Sequence, residues 1–122
     1  RYGTVETISL DAFVKQVKQT FNLDSVKVIG KTDKTIEKVA ISGGSGSHHM
    51  YAAKKMNCDV YLTGDITYHT ALDAIQLGIT LIDVGHHVEK VFVDEIVQML
   101  GKQFPDVSFV ASEIDSNPYI DY

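Results

Sequence analysis

The run Asp-Val-Gly-His-His-Val-Glu-Lys at residues 83–90 carries the residue types best suited to chemistry in this sequence. His86 and Glu89 lie three positions apart, so both side chains project the same way if a helix begins here. A neutral imidazole nitrogen and a carboxylate oxygen suit Zn, Mn or Fe(II). A carboxylate in a first helical turn also stabilises the helix by itself, and a metal site usually has three or four ligands. The spacing alone therefore favours helix stabilisation over a metal site.

A second polar group follows the apolar stretch at residues 59–63. Asp65 comes directly after Gly64, and His69 lies four positions further on, where a carboxylate and an imidazole can meet on one helical face. Asp65 can cap the next helix, orient His69, or line a cleft at the end of a strand. The residues themselves give equal weight to a structural role and to a site-lining role.

The third candidate is the glycine- and serine-rich stretch at residues 42–47, which includes Gly44, Ser45 and Gly46. Backbone N–H groups of such loops can face an anion. No Gly-Lys-Ser/Thr follows, and His49 stands where the dinucleotide-binding pattern needs its third glycine. A tight turn that needs glycine for backbone reasons is the favoured interpretation, with an anion site as the alternative.

Two further features look reactive but have a simpler interpretation. His48 and His49 are adjacent, and neighbours on a helix point about 100° apart, so such a pair rarely holds a single ion. Exposed histidines are the favoured interpretation of this pair. Cys58 has no cysteine or histidine at metal-ligand spacing, which favours a small buried hydrophobic residue.

Strands and helices alternate along the chain. This rhythm predicts a single α/β domain over residues 1–122, with a mostly parallel or mixed sheet and helices packed on it. After a short polar lead-in at 1–7, strands are predicted at 25–29, 36–41, 59–63, 79–83 and 107–111, and helices at 10–21, 48–56, 67–77 and 87–100. The expected caps are Ser9 before the first helix, and Gly78 and Gly101 after the last two. The side chains expected to face inward are Leu10, Phe13, Val14, Val17 and Phe21, then Ala71, Leu72 and Ile75, then Val88, Val91, Phe92, Ile96 and Met99.

The alternation of strands and helices has a consequence for function. In a parallel sheet the loops that leave strands and enter helices lie along one edge, and ligands bind there. Three such loops occur, at residues 42–47, 64–65 and 83–86. Their polar residues are therefore expected to converge in space, although they are spread along the chain.

The composition of the chain argues against several classes of binding partner and structural feature. The chain has 11 basic and 16 acidic residues, a formal net charge of −5, without a dense Lys/Arg stripe, which disfavours nucleic-acid and membrane partners. No apolar run approaches the ~18 residues that a membrane helix needs. One cysteine excludes an internal disulfide and favours a reducing, cytoplasmic location. The first residue is Arg1 rather than Met, so we expect a truncated or processed form.

Several segments, taken in order, resemble one family. A Gly-Gly-Ser-Gly turn follows a strand, and the later segments are Thr-Gly-Asp-Ile-Thr-Tyr-His at 63–69, Ala-Leu-Asp-Ala at 71–74, Ile-Asp-Val-Gly-His at 82–86 and Asn-Pro-Tyr at 117–119. The ordered set resembles the C-terminal part of the Nif-three-like family, also known as GTP cyclohydrolase type-two homologues. The resemblance extends over most of the chain.

The resemblance implies one half of a duplicated α/β fold, and a homo-oligomer, a hexamer when the protein is intact, with metal sites facing an internal cavity. It implies two divalent metal ions (Zn, Fe or Mn) per intact protein, bound in part by a His-His pair and an Asp of the N-terminal half. From the C-terminal half it implies His86 and Glu89 as ligands, with Asp65 and His69 lining the site. Nothing in this sequence matches the N-terminal half, so that half is the first expected partner.

The implied activity is metal-dependent hydrolysis of a phosphate ester or a nucleotide, for which this chain supplies only part of the metal site. Developing negative charge would be stabilised by the metals and by the amides of residues 43–47, which include Gly44, Ser45 and Gly46. The alternative is a non-catalytic module that binds metal or a partner for a structural or regulatory purpose, since a fold does not define a reaction.

Overall fold

The computed structural model describes residues 1–119, and the chain divides into two compact units. The first unit is Arg1–His86, and the second begins at His87. The candidate site residues other than Glu89 lie in the first unit.

The first unit is built on one mixed β-sheet. Its elements in chain order are β1 (Tyr2–Ser9), α1 (Leu10–Phe21), β2 (Lys27–Ile29), β3 (Thr35–Ile41), a 3-10 turn (Ser47–His49), α2 (Met50–Lys55), β4 (Val60–Thr63), α3 (Tyr68–Leu77) and β5 (Thr80–Asp83). Among the described residues the sheet has five strands in the order β1-β3-β4-β5-β2. β3, β4 and β5 run parallel, while β1 and β2 pair antiparallel at the two edges. The predicted α/β class with a mixed sheet is confirmed.

The first strand corrects the polar lead-in predicted for residues 1–7. Residues 2–9 pair with β3, with Tyr2 opposite Ala40, and the amino group of Arg1 donates a hydrogen bond to the carbonyl of Ile41 at 2.8 Å. β1 is an edge strand whose side chains are almost all exposed, so backbone pairing rather than apolar burial holds it in place. An exposed edge strand carries no alternating apolar face, and that is why its sequence gives no signal.

α1 has the predicted bounds and α3 begins one residue later than predicted, whereas α2 is shorter than the helix predicted at 48–56 because its first residues form the 3-10 turn. The Ser9 hydroxyl accepts a hydrogen bond from the N–H of Ala12, and α1 ends at Asn22 in the left-handed conformation. In α3 the hydroxyl of Thr67 accepts from the N–H of Thr70, and Gly78 provides the left-handed C-cap with a φ of 69°. These contacts satisfy donors and acceptors that a helix leaves unpaired at its ends.

The core lies where α2 and α3 pack on the parallel strands. β4 and β5 are buried along their whole length, as expected of central parallel strands. The core cluster on the face covered by α2 and α3 contains Ala40, Met50, Ala53, Cys58, Tyr61, Ala74, Ile79 and Leu81. In α1, Leu10, Phe13 and Val17 are buried as predicted.

Of the three residues predicted to face inward in α3, Ala71 is half-buried, and the prediction is wrong for Leu72 and Ile75. Ala74 is the buried residue of this helix, while Leu72 and Ile75 are exposed. The stripe that meets the core runs through Ala74 and Leu77, three positions apart. Leu72 and Ile75 lie about 200° and about 100° around the helix from Ala74, so they point away from the core.

The second unit contains a 3-10 turn (His87–Lys90) followed by α4 (Val91–Gln103). The helix predicted at 87–100 is present, but it passes through Gly101, which is not its C-cap, and the N–H of Phe104 bonds to the carbonyl of Leu100 at 2.8 Å. His86 precedes the 3-10 turn, so His86 and Glu89 do not share the first turn of an α-helix.

Two predictions about burial and pairing in the second unit are wrong. No residue of α4 is buried, and Val91, Phe92 and Met99 are exposed. Residues 107–111 form no strand, because a strand needs a hydrogen-bonding edge and this segment is not part of the sheet formed by the described residues. None of the helices described in residues 1–119 combines the length and the apolar character needed to cross a membrane.

Candidate functional site

Three β-to-α loops meet at one edge of the sheet, as the sequence predicted. The N–H of Gly64 donates to the carbonyl of Gly44 at 2.9 Å, which joins the first loop to the second. The N–H of Val84 donates to the carbonyl of Thr63 at 3.0 Å, which joins the third loop to the second. We call this edge the rim: residues 42–47, 63–66 and 83–86. The rim brings side chains from three separate segments together at the carboxyl ends of parallel strands, where ligands bind in open α/β sheets.

The glycine turn at the start of the rim is bonded to β4. The hydroxyl of Thr63 donates to the carbonyl of Gly44 at 3.0 Å and accepts from the N–H of Gly46 at 2.9 Å. The phenol of Tyr61 donates to the carbonyl of Gly46 at 2.6 Å. A Cβ at Gly46 would lie 2.6 Å from the hydroxyl oxygen of Ser42, which explains why glycine stands there. These bonds turn the polar groups of Gly46 into the fold and support the tight-turn interpretation, while Ser45 is exposed.

The centre of the rim is a carboxylate–imidazole pair. Oδ2 of Asp65 lies 2.6 Å from Nδ1 of His86, and both side chains are about half exposed. Asp65 has a φ of 55°, a left-handed conformation that turns the chain sharply after β4. Of the three roles considered for Asp65, helix capping belongs instead to Thr67, and the imidazole that Asp65 contacts is that of His86 rather than His69.

A buried carboxylate, which no sequence pattern indicated as functional, supports this pair. Asp83 ends β5 and is 8% exposed, with Oδ1 accepting from the N–H of Gly85 at 3.0 Å and Oδ2 accepting from the N–H of Ile66 at 3.2 Å. The spacing Asp-x-Gly is a sequence signal for an Asx turn, because the carboxylate can accept from the N–H two residues on. The bond to Ile66 joins residues 17 positions apart and has no such signal.

The remaining candidate residues lie outside the pair. His69 is exposed in the first turn of α3, with its ring edge-on to that of Tyr68 at 5.8 Å. The rings of His48 and His49 lie 4.0 Å apart and both residues are exposed, as the simpler interpretation expects. Glu89 is exposed in the 3-10 turn of the second unit.

The rim contains donors of the right chemistry for a metal, but too few of them. Imidazole nitrogen and carboxylate oxygen are ligands for Zn, Mn and Fe. Within residues 1–119 no group of three or more His, Cys, Asp or Glu side chains is arranged to hold an ion. A metal at this rim would therefore need ligands from outside the described residues, and no catalytic step through a metal follows from these residues alone.

Two ionisable groups of the first unit whose pKa is shifted by burial lie near the start of β4, at the end opposite to the rim. Burial raises the pKa of the Cys58 thiol above its ordinary value. Burial also lowers the pKa of Lys34, whose ammonium group donates to the carbonyl of Asp59. Both shifts arise from desolvation in the packed structure rather than from a partner at the rim.

Fold and site together define a class: an α/β protein with a mixed sheet, whose candidate ligand site is a His–Asp pair on loops at the carboxyl ends of parallel strands. Comparison with known proteins gives the family. The sequence profile of the family described as Duf34/NIF3 (NGG1p interacting factor 3) matches residues 1–118. The chain therefore belongs to the NIF3 family.

Similar proteins agree with this assignment. The chain is 35% identical to the GTP cyclohydrolase 1 type 2 homolog of Bacillus subtilis, over 98% of this chain and 33% of that protein. It is similar in structure to Staphylococcus aureus protein SA1388, with a TM-score of 0.93 and 32% identity over 99% of this chain and 41% of that one. A Bacillus cereus protein related to NIF3 matches with a TM-score of 0.91 and 35% identity, over 99% of this chain and 35% of that one.

These comparisons also show how much of the fold the chain represents. It spans about a third of the length of the Bacillus subtilis relative, and 41% of the SA1388 chain. Such coverage is consistent with half of a duplicated fold, and with a partner half that is not part of this sequence.

Proposed function

We propose that this chain contributes His86 and Glu89 to a divalent-metal site whose other ligands lie outside it, in a protein that hydrolyses a phosphate ester or a nucleotide. Zn, Fe or Mn would suit the ligands, with two ions in a protein of the relatives' full length. The observation that carries the proposal is the 2.6 Å contact between Asp65 and His86 at the rim. Histidines that ligate metals usually present their second ring nitrogen to a carboxylate or a carbonyl.

The described residues offer too few ligands for a complete metal site. This supports a site that is shared between this chain and another part of the protein. Two donors bind a metal weakly, because affinity rises with each ligand held in place. No group of three such donors occurs within residues 1–119, while the relatives are about three times as long as the matched segment. The additional length provides room for the remaining ligands.

The hydrolytic part of the proposal follows from the chemistry that a metal supplies. A bound divalent ion polarises a phosphoryl or carbonyl oxygen and lowers the pKa of a bound water. The residues of this chain would orient the imidazole, through Asp65, and line the site with Gly44, Ser45, Gly46 and His69. The name GTP cyclohydrolase 1 type 2 homolog, carried by the Bacillus subtilis relative, is compatible with a nucleotide as substrate.

The same proposal extends to assembly and location. The resemblance implies a homo-oligomer, hexameric in the intact protein, which acts in the cytoplasm on a substrate that is neither nucleic acid nor membrane. A single buried cysteine and an excess of acidic residues are compatible with that location.

A second candidate function is a non-catalytic module that binds metal or a partner for a regulatory or structural purpose. The exposed apolar side chains of α4 favour it, since exposed apolar surface commonly marks an interaction site. The family description, which names an interacting factor, is compatible with such a role.

A chimera tests these candidates. This chain would replace the matching third of the Bacillus subtilis relative, and metal content would be measured by elemental analysis after purification. We expect two ions per chimera, and a loss of bound metal in His86→Ala and Glu89→Ala. The matched control His48→Ala, an exposed histidine outside the pair, is expected to retain both ions. Unchanged metal content in His86→Ala would remove this residue from the site.

Activity separates the two candidates. The metal-loaded chimera would be assayed with p-nitrophenyl phosphate and with GTP, before and after treatment with a chelator. Turnover that disappears with the metal and in His86→Ala supports the hydrolase. A chimera that holds both ions and hydrolyses neither substrate, while the unaltered relative does, favours the non-catalytic module.

A further inference from the structure

Asp83 contacts both loops that carry the central pair of the rim. Its carboxylate is buried at the end of β5, and each oxygen accepts one backbone N–H: Oδ1 from Gly85 and Oδ2 from Ile66. Gly85 directly precedes His86, and Ile66 directly follows Asp65. One side chain therefore fixes the backbone next to both members of the pair.

The backbone around this carboxylate has little freedom to shift. A Cβ on Gly64 would lie 2.6 Å from the carbonyl carbon of Gly85, so the two loops are in direct contact. Asp65 itself adopts a φ of 55°, and Gly85 a φ of 75°. A non-glycine residue in the left-handed region persists only when its surroundings hold it there, and the bond from Ile66 to Asp83 is one such restraint.

The contact between Asp65 and His86 sets the proton on the ring. An ionised carboxylate can only accept hydrogen bonds, so Nδ1 of a neutral His86 must carry the hydrogen at the 2.6 Å contact. The lone pair then lies on Nε2. The orientation of the His86 ring depends on where the Asp65 carboxylate is held. The same position determines which ring nitrogen carries the hydrogen.

We propose that Asp83 is a positioning residue, which holds the two loops so that Asp65 fixes His86 as the Nδ1–H tautomer and makes Nε2 the metal-donor nitrogen. The metal part of this statement rests on the proposed function. The tautomer part does not, because it rests on the contact between Nδ1 of His86 and the carboxylate of Asp65.

The test uses the 122-residue chain labelled with ¹⁵N, at about pH 8, where an ordinary histidine is neutral. Long-range ¹H–¹⁵N spectra distinguish a protonated from an unprotonated ring nitrogen, and assign the tautomer of His86. Zn²⁺ affinity is measured by titration calorimetry on the same variants of the chimera described above, which supplies the remaining ligands. The variants are Asp83→Asn, which keeps the shape and one acceptor oxygen, Asp83→Ala, and Asp65→Asn, which removes the ionised carboxylate of the pair.

The chain offers a matched control in Asp59. Its carboxylate also accepts two backbone N–H groups, from Glu37 at 2.9 Å and Lys38 at 2.8 Å, but before β4 rather than after it. Asp59→Ala therefore removes the same kind of structural contact at the opposite end of the sheet. We expect it to lower the urea midpoint, while the tautomer of His86 and the Zn²⁺ affinity stay as in the unaltered chain.

The expected result is a single Nδ1–H tautomer in the unaltered chain, and a mixture with the Nε2–H form in Asp83→Asn and Asp65→Asn. Zn²⁺ affinity should fall about tenfold to hundredfold in both, as is usual when the support of a metal-binding histidine is removed. The proposal is overturned if Asp83→Asn leaves tautomer and affinity unchanged, or if the unaltered chain carries the Nε2–H form. Should Asp83→Ala fail to fold, Asp83→Asn decides. An unaltered chimera that binds no Zn²⁺ counts against the proposed function, and the tautomer spectra then decide on the positioning by themselves.

Discussion

Gly64 is the point where the second and third loops of the rim approach most closely. A Cβ at this position would lie 2.6 Å from both the carbonyl carbon and oxygen of Gly85, and 2.9 Å from the nitrogen of His86. Those atoms belong to backbone and cannot rotate away. We expect Gly64→Ala to push the third loop outward, to cost about 1–3 kcal/mol of the free energy of unfolding, and to break the contact between Asp65 and His86.

Gly3 provides the control for this substitution. It lies in β1 of the same unit, and nothing lies within 4 Å of a Cβ built there. Gly3→Ala is expected to change the free energy of unfolding by less than about 0.5 kcal/mol. Urea titration followed by circular dichroism measures both variants. Equal stability of Gly64→Ala and Gly3→Ala would contradict the close approach.

Cys58 predicts a dependence of stability on pH. Burial raises the pKa of its thiol above the ordinary value of 9.0. In the unfolded chain the thiol ionises at the ordinary value, so its contribution to stability is complete below pH 9.0 and is lost as the pH rises through the folded pKa. The urea midpoint should fall more steeply on the alkaline side of pH 9.0 in the unaltered chain than in Cys58→Ala. Parallel pH profiles for the two proteins would show that the thiol makes no such contribution.

At the rim, the sequence predicted which loops meet but not which atoms touch. Strand-to-helix transitions place residues 42–47, 64–65 and 83–86 on one edge, because parallel strands end on the same side. The partner of Asp65 was not predictable, since its contact with His86 spans 21 positions and depends on a left-handed turn. Asp83 was missed because a carboxylate at a strand end resembles an exposed one until its burial is known.

Among the elements, the ends of α3 are the most directly testable. The hydroxyl of Thr67 accepts from the N–H of Thr70 at 3.3 Å, and α3 follows immediately after the loop that carries Asp65. Thr67→Ala should cost about 1 kcal/mol of the free energy of unfolding, because a first-turn donor loses its acceptor. Thr67→Ser keeps the hydroxyl and is the control, with stability expected close to that of the unaltered chain. The urea midpoints of the two variants give the comparison, and a loss in Thr67→Ser as large as in Thr67→Ala would show that the hydroxyl is not the cause.

The elements also show where sequence patterns suffice and where they fail. Central strands such as β4 and β5 contain apolar residues that are buried on both faces of the sheet, and helices with clear caps, such as α1, leave a signal in the residues that they use. β1 leaves none, since its exposed side chains are not selected for burial. The strand predicted at 107–111 fails for the converse reason: apolar alternation indicates a capacity to pair, but the pairing edge must come from elsewhere in space.

At the scale of the whole molecule, the second unit has several large apolar side chains that are exposed. Phe92, Met99 and Phe104 are 62%, 55% and 47% exposed, and no side chain of α4 is buried. Apolar patches of this kind are uncommon on monomeric proteins and promote association or bind hydrophobic dyes. We therefore expect the 122-residue chain to bind such a dye and to elute on size-exclusion chromatography as a species larger than a monomer.

The substitutions Phe92→Ser and Met99→Ser, made together, should reduce both dye binding and association, because they remove exposed apolar area and neither residue is buried. Leu72→Ser is the matched control: Leu72 is also exposed, at 41%, but lies on α3 of the first unit. A monomeric chain without dye binding would contradict the expectation. If Leu72→Ser had the same effect as the double variant, association would depend on apolar area anywhere on the chain. An effect confined to the double variant would locate the associating surface on α4 of the second unit.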